Sequence, residues 1–285
     1  MDWPATTIEV ADAVFAYVQA GGGLCIANAG ILGGPDETTV IDALFTPSMT
    51  SGLLAETRRR SAAPITRLID THHHVDHTLG NASFPATTQV LAHARAREEM
   101  ARAGLGVLDV IRRLAPHFAG ELDDVRNRLP DATFDGDALD LEASGRRLRL
   151  LHFGTGHTRG DVLVHLPGER VLFAGDVAFF GVTPLAHEGH IGNWIAVGER
   201  VIAEVEADVI VPGHGPPGTK ADLTRMLDYL RLVHDAAQAA FDAGASVGEA
   251  VASIALGEFT EWAEPERLAP NVARCYAEFR GEIEL

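Results

Sequence analysis

The chain carries a single lysine, Lys220, and only two cysteines among its 285 residues, and no stretch approaches the roughly 18 uninterrupted apolar residues that cross a bilayer. Each scarcity excludes something. Cys25 and Cys275 lie far apart with no CxxC spacing, which argues against a disulfide framework or a zinc ribbon. Cys25, in Leu24-Cys25-Ile26-Ala27, reads as a small hydrophobe in a strand. Basic residues are also short: 23 Lys and Arg against 40 Asp and Glu leave a formal charge of −17, a field that repels phosphate backbones, so no nucleic-acid partner is expected. The amino terminus, Met1-Asp2-Trp3-Pro4, lacks the basic start and apolar stretch of a secretion signal. The expectation is a soluble, cytoplasmic protein with no membrane partner and a hydrophobic content, 46%, sufficient for a large core.

Histidine, placed among acids and glycines, carries the chemistry. The densest group is Thr71-His72-His73-His74-Val75-Asp76-His77. Side chains two apart share a face of an extended segment, so His72 and His74 can point one way and His73 the other, while Asp76 and His77 can turn toward a second ion. Three single candidates follow, each beside glycine: His157 in Gly154-Thr155-Gly156-His157-Thr158, Asp176 in Phe173-Ala174-Gly175-Asp176, and His214 in Val211-Pro212-Gly213-His214-Gly215. Apolar runs precede the last two directly and lie just before the first, as expected for residues delivered from the ends of buried strands. His93, His117, His152, His165 and His234 are expected to be ordinary solvated side chains.

The pattern His72-x-His74-x-Asp76-His77, then His157, Asp176 and His214, resembles the metallo-β-lactamase superfamily of metallohydrolases, over roughly residues 8 to 240. The resemblance implies an α/β fold, a four-layer αββα sandwich with extra C-terminal helices, with residues 1–285 forming one domain: a core of about 8–240 and a helical extension from 241 to 285. It further implies that His72, His74 and His157 hold one metal, that Asp76, His77 and His214 hold another, and that Asp176 bridges both. The implied cofactors are two divalent ions, zinc first, with iron or manganese as alternatives.

Two such ions roughly 3.5 to 4 Å apart can share a water, lower its pKa to near 7 and polarise a carbonyl. The implied activity is therefore a dinuclear zinc-dependent hydrolase that uses a metal-bridging hydroxide on a thioester or ester-type small-molecule acyl substrate. Asp76, His187 and His190 are the catalytic candidates, the two histidines as proton donors in a loop with Glu188 that lines the pocket in relatives. Thr158 and Asp161 either orient ligand imidazoles or merely stabilise a turn.

β-Lactam-hydrolysing relatives generally lack an aspartate at the position of Asp176, so the resemblance leans toward the hydroxyacylglutathione hydrolase-like and lactonase-like branches, with β-lactamase activity as a weak side reaction. The segments Gly22 to Ile31, Arg170 to Asp176 and Gly181-Val182-Thr183-Pro184 are similar to bacterial aromatic polyketide second-ring cyclase/thioesterases, which makes cyclisation a further reading. A non-hydrolytic di-iron redox protein is the remaining alternative, weakened because di-iron flavoproteins place a glutamate where this chain has His74.

Along the chain, strands are expected at 8–19, 24–32 and 38–44, punctuated by Gly21-Gly22-Gly23 and Gly33-Gly34-Pro35-Asp36. A helix at 48–60, a strand at 65–69, a strand at 89–92 and a helix at 94–103 follow, and 107–129 reads as an insertion at the active-site rim. The second half predicts strands at 139–141, 147–153, 162–166, 171–174 and 208–211 around a helix at 193–205. Helices at 220–243, 247–256 and 264–280 end the chain. Their apolar stripes read as core packing, or as a subunit contact in a homo-oligomer. Phe259 and Trp262 keep open a lid over the substrate pocket.

Overall fold

The structure is a computed structural model that describes residues 3–19, 23–123 and 125–283; Gly21 and Gly22 lie outside the described residues. Strands β1 (Ala5–Ala11), β2 (Val14–Gln19), β3 (Ala29–Gly33) and β4 (Thr38–Ile41) form an antiparallel meander. Helix α1 (Pro47–Arg60) crosses to β5 (Ile65–Ile69), and the single turn α2 (Val75–Thr78) follows. Then come β6 (Gln89–His93), α3 (Ala94–Ala103), α4 (Leu108–Leu114) and β7 (Ala132–Phe134), so that β4 to β7 run parallel and the seven strands pair in chain order.

A second sheet has five strands: β8 (Ala138–Ala143), β9 (Arg146–Leu151), β10 (Leu163–Leu166) and β11 (Val171–Phe179) are successively antiparallel, and β12 (Val209–His214) lies parallel to β11 after the crossover helix α5 (Ile191–Glu204). Helices α6 (Lys220–Asp242), α7 (Val247–Ser253) and α8 (Leu268–Phe279) complete the chain.

Strand alternation creates the layers. In β2, Val14 and Ala16 join Ile41, Ile69 and Leu91 of the first sheet and Leu148, Leu150, Val164 and Phe173 of the second in one buried cluster between the sheets. Their neighbours Phe15 and Tyr17 point the other way, against Met49 and Leu53 of α1 and Leu108 and Ile111 of α4. On the outer face of the second sheet, Leu163 and Leu172 meet Trp194 and Val201 of α5, Leu223 and Leu227 of α6, and Val272 and Tyr276 of α8. Helix, sheet, sheet, helix is the αββα order expected from the sequence. Close approach of the sheets requires a glycine at position 30, where a Cβ would lie 2.6 Å from the Phe173 ring.

Several local expectations change. The expected strand at 8–19 is a hairpin, because Ala13 takes a left-handed conformation (φ 53°) and turns the chain without any glycine to announce it. The strand expected from Leu24 begins only at Ala29, and Cys25 is a buried loop residue with φ 65°. Strand β11 runs past Ala174 to Phe179 through an irregularity in its pairing with β12. Phe259 and Trp262 pack on Tyr229 within the core, at ring separations of 5.5 and 5.6 Å, and are no lid.

His93, His152 and His165 are buried, not solvated. His165 donates to the Glu206 carbonyl at 3.0 Å. His93 stacks on His152 at 4.1 Å, and its Nδ1 accepts from the Arg95 N–H as the N-cap of α3. That acceptor exists only on a neutral ring, and burial, followed by the His152 ring, lowers the His93 pKa from 6.5 to about 4. A depressed imidazole pKa contributes stability that is present above pH 6.5 and lost as pH falls through about 4, since the unfolded chain then binds the extra proton. Urea unfolding at pH 7 and pH 4 is expected to show His93→Asn, which keeps a capping acceptor but cannot charge, losing up to about 3 kcal/mol less stability than the parent over that interval.

Candidate metal centre

Seven donors converge where the C-terminal ends of β5 and β12 meet the irregular middle of β11. His72 and His74 follow β5 in a bend, and the chain then enters α2 at Val75, which carries Asp76 and His77 around to a different side. His157 comes from the loop after β9, Asp176 from within β11, and His214 from the last position of β12.

In the first group, His74 Nδ1 lies 3.1 Å from His72 Nε2 and 2.9 Å from His157 Nε2. The second group is Asp76, His77 and His214, with Asp76 Oδ2 4.0 Å from His77 Nε2 and 3.5 Å from His214 Nε2. Asp176 lies between them: Oδ2 is 3.2 Å from His157 and 3.3 Å from His214, and Oδ1 is 3.1 Å from His77. Such spacings between nitrogen and oxygen donors suit ligands sharing a cation at about 2 Å each.

The rear nitrogens of the rings show which way the lone pairs face. Asp42, 3% exposed at the end of β4, accepts from the Thr71 N–H, the Thr71 hydroxyl and His77 Nδ1–H, each at 2.8 Å. With its own proton given to Asp42, the Thr71 hydroxyl is left to accept from His72 Nδ1, 3.1 Å away. One carboxylate therefore turns the Nε2 lone pairs of both His72 and His77 inward. His214 Nδ1–H donates to the Ile26 carbonyl at 2.8 Å, and His74 Nε2 faces the Glu188 carboxylate at 3.3 Å. Asp42 is the residue that sequence reasoning missed; its signal, a lone acid just after a short strand, is too common to single out.

These residues fit a cation. His77 Nε2 and Asp176 Oδ1 are buried without a hydrogen-bond partner although 3.1 Å apart, a spacing that suits two ligands of one cation. Burial would keep His77 neutral, yet Asp176, Asp42 and Asp76 outweigh it and raise its pKa well above the usual imidazole range. Burial would likewise raise the Asp176 carboxyl, and the His214, His77 and His157 rings outweigh it and hold it well below the carboxylate range. The cluster thus favours positive charge between the side chains.

The glycines around these ligands answer to the same packing. A Cβ on residue 213 would fall 1.8 Å from Asp176 Oδ1, and residue 175, at φ +49°, presses against Thr71, where a Cβ would lie 2.6 Å from the hydroxyl.

The other sequence candidates separate. His187 stacks on His74 at 4.8 Å and lines the adjoining cavity with Glu188. The protein packed around it, then the His74 imidazole, push its pKa down, so it faces the cavity as a neutral ring at pH 7. His190 is not among the cavity-lining residues; its Nδ1 accepts from the Asn193 N–H as the N-cap of α5. Asp161 closes a turn by accepting from Thr158 N–H at 3.0 Å and orients no ligand imidazole among the described residues. His73, expected to point away from His74, instead pairs at 2.8 Å with the same Glu188 carboxylate that His74 faces and lines the same cavity.

The loop of 183–192 is held from behind by the C-terminal helices. Asn271 of α8 bonds Ala186 N–H and the Pro184 carbonyl, each at 2.8 Å, Arg274 grips the Glu188 and Gly189 carbonyls, and Arg267 reaches the Thr183 carbonyl at 2.9 Å. The extension is a clasp for the site loop.

No helix among the described residues is long and apolar enough to cross a membrane. Residues 22–214 match the family model of the metallo-beta-lactamase superfamily. Among curated proteins, the chain is 29% identical over 153 residues to the 2,4-dinitroanisole O-demethylase subunit alpha of Nocardioides sp., covering 53% of this chain and 40% of that one. It is 28% identical over 208 residues to the acyl-coenzyme A thioesterase MBLAC2 of Bos taurus, covering 66% of this chain and 72% of that one. Its fold matches the inverting sec-alkylsulfatase Pisa1 of Pseudomonas sp. with a TM-score of 0.78 at 20% identity, over 97% of this chain and 50% of the sulfatase. The chain thus spans less than half of the demethylase subunit and half of the sulfatase. With the family model covering most of the chain, the αββα layers and the His/Asp cluster in place, this protein belongs to the metallo-beta-lactamase superfamily.

Proposed function

We propose that this protein is a dinuclear zinc hydrolase of thioester or ester-type acyl substrates. The observation that carries the reading is the Asp176 carboxylate, whose two oxygens stand within 3.1 to 3.3 Å of His77, His157 and His214 and so join two donor groups into one site. In this reading His72, His74 and His157 would hold the first ion and Asp76, His77 and His214 the second, with the Asp176 carboxylate available to both groups. Bound there, two divalent ions lower the pKa of water toward 7 and polarise a carbonyl.

The chain's own residues set the conditions for that chemistry. Asp42, directly and through Thr71, keeps His77 and His72 in the tautomer whose Nε2 lone pair faces inward. Asp76 and Asp176 both line the cavity, and Asp76, the more exposed of the two, is the carboxylate assigned to take or return a proton in this reading. His187 bounds the substrate space as a neutral ring, and His190 is assigned to helix capping. The curated thioesterase supports an acyl substrate by likeness.

The test is metal analysis of protein never exposed to chelator, followed by a panel of acyl-CoA, acyl-glutathione, aryl esters, homoserine lactones and a cephalosporin with Zn, Mn and Fe. Two equivalents of metal, with thioesters or aryl esters turned over faster than lactone and cephalosporin, is the expected result. Well under one equivalent, or no acyl turnover by fully metallated protein, overturns it.

A further inference from the structure

The cavity beside the metal-site residues, about 250 Å³, has two characters. His74, Asp76, His157, Asp176 and His214 form its polar end, and Val107, Val110, Ile111 and Leu114 at α4 form an apolar wall. These four stand at helical spacing on one stripe. Ile111 is buried in the core, but Val107, Val110 and Leu114 are 39%, 43% and 70% exposed. Among the described residues the only other large apolar side chain so exposed is Ile8, so the open apolar surface gathers at this one wall.

Leu24, Val75, Leu79 and Leu185 add further apolar lining. The cation in the lining, Arg267, is engaged by Glu264 and the Thr183 carbonyl, which leaves none there to recognise an anionic acyl group. Charged side chains gather instead across His73, His187 and Glu188, where Arg102, Arg159 and Arg274 border a separate recess of about 370 Å³.

We infer that the α4 stripe is an acyl-chain subsite: the substrate carries an uncharged, extended apolar acyl group that runs from the metal centre along Val110 and Leu114. The inference rests on the hydrolase reading for the position of the scissile carbonyl. A concave apolar wall continuous with the metal ligands suits a chain attached to the reacting carbon, and each methylene laid against it leaves water.

The test is kcat/KM of the zinc-loaded protein on p-nitrophenyl esters from acetyl to decanoyl and on the matching acyl-CoA thioesters. It is expected to rise about two- to fourfold per methylene until the wall is filled. Val110→Asp and Leu114→Asp change exposed positions, and each is expected to cut the octanoyl-to-acetyl ratio at least about tenfold. The ratio, taken within one preparation, is insensitive to folding yield and metal content. Calorimetry of octanoate and decanoate binding to the zinc-loaded protein supplies a readout independent of turnover, with tighter binding for the longer chain and weaker binding in Val110→Asp. Turnover with a flat chain-length profile, unchanged in both variants, overturns the subsite and leaves the hydrolase reading standing. Chain-length-dependent binding that Val110→Asp weakens, without hydrolysis of any ester or thioester, supports the subsite and overturns the hydrolase reading.

Discussion

Asp176→Ala is expected to reduce bound zinc from two equivalents to one or fewer and to lower kcat/KM by about a thousandfold, some 4 kcal/mol of transition-state stabilisation. The carboxylate is 5% exposed and lies 3.1 to 3.3 Å from members of both triads, so its removal unbalances the whole cluster. Without it, His77 loses the largest of the influences that favour positive charge there, and burial pushes that ring toward neutrality. Asp176→Asn separates charge from shape: an amide fills the same space beside Gly213 but cannot offer both oxygens, so it is expected to retain the fold and still lose one metal. Metal analysis by mass spectrometry, with circular dichroism to confirm folding, checks both variants. Unchanged stoichiometry and rate in Asp176→Ala would remove the bridging role and with it the two-metal reading.

Asp42→Ala is expected to be costly twice. Three donors, Thr71 N–H, the Thr71 hydroxyl and His77 Nδ1–H, lose their acceptor in a buried space, which destabilises the metal-free protein by about 3 to 5 kcal/mol in urea unfolding. Zinc affinity is expected to fall a further 10- to 100-fold, roughly, because His72 and His77 are no longer held in the metal-ready tautomer. Asp42→Asn is the sharper variant. Its amide oxygen can keep accepting from the Thr71 N–H at the Oδ1 position, while its NH2 at the Oδ2 position donates to His77 Nδ1 and to the Thr71 hydroxyl, which forces the His77 proton onto Nε2 and blocks the lone pair that a metal needs. Competition titration against a zinc chelator should therefore show lost affinity in Asp42→Asn with a smaller loss of stability than in Asp42→Ala. Equal stability losses with native zinc affinity would reduce Asp42 to a packing residue.

The fold was legible wherever strand alternation and helix period were clean. Val14 and Ala16 against Phe15 and Tyr17 already carry two buried faces, and the α6 stripe of Leu223, Met226, Leu227 and Leu230 carries one. It was illegible where backbone conformation broke a pattern that side chains continued: Ala13 and Cys25 hold positive φ with no glycine to mark it, and β11 passes through Gly175 without ending. Histidine was the least legible residue type. His93 and His190 cap helices and His165 bonds a distant carbonyl, roles that their local sequence does not announce.

By itself the sequence determined the donor inventory, the order in which donors arrive, and the alternation that buries two sheets against each other, because these depend on residue type and spacing along one segment. Only the tertiary structure decided what faces what. Asp42 reaches His77 across 35 residues, Asn271 holds Ala186 across 85, and α4 lays its apolar stripe beside ligands that come from both sheets. Those relations are set by packing between segments distant in sequence, where orientation and burial, not local pattern, select which carboxylate, ring or carbonyl becomes a partner.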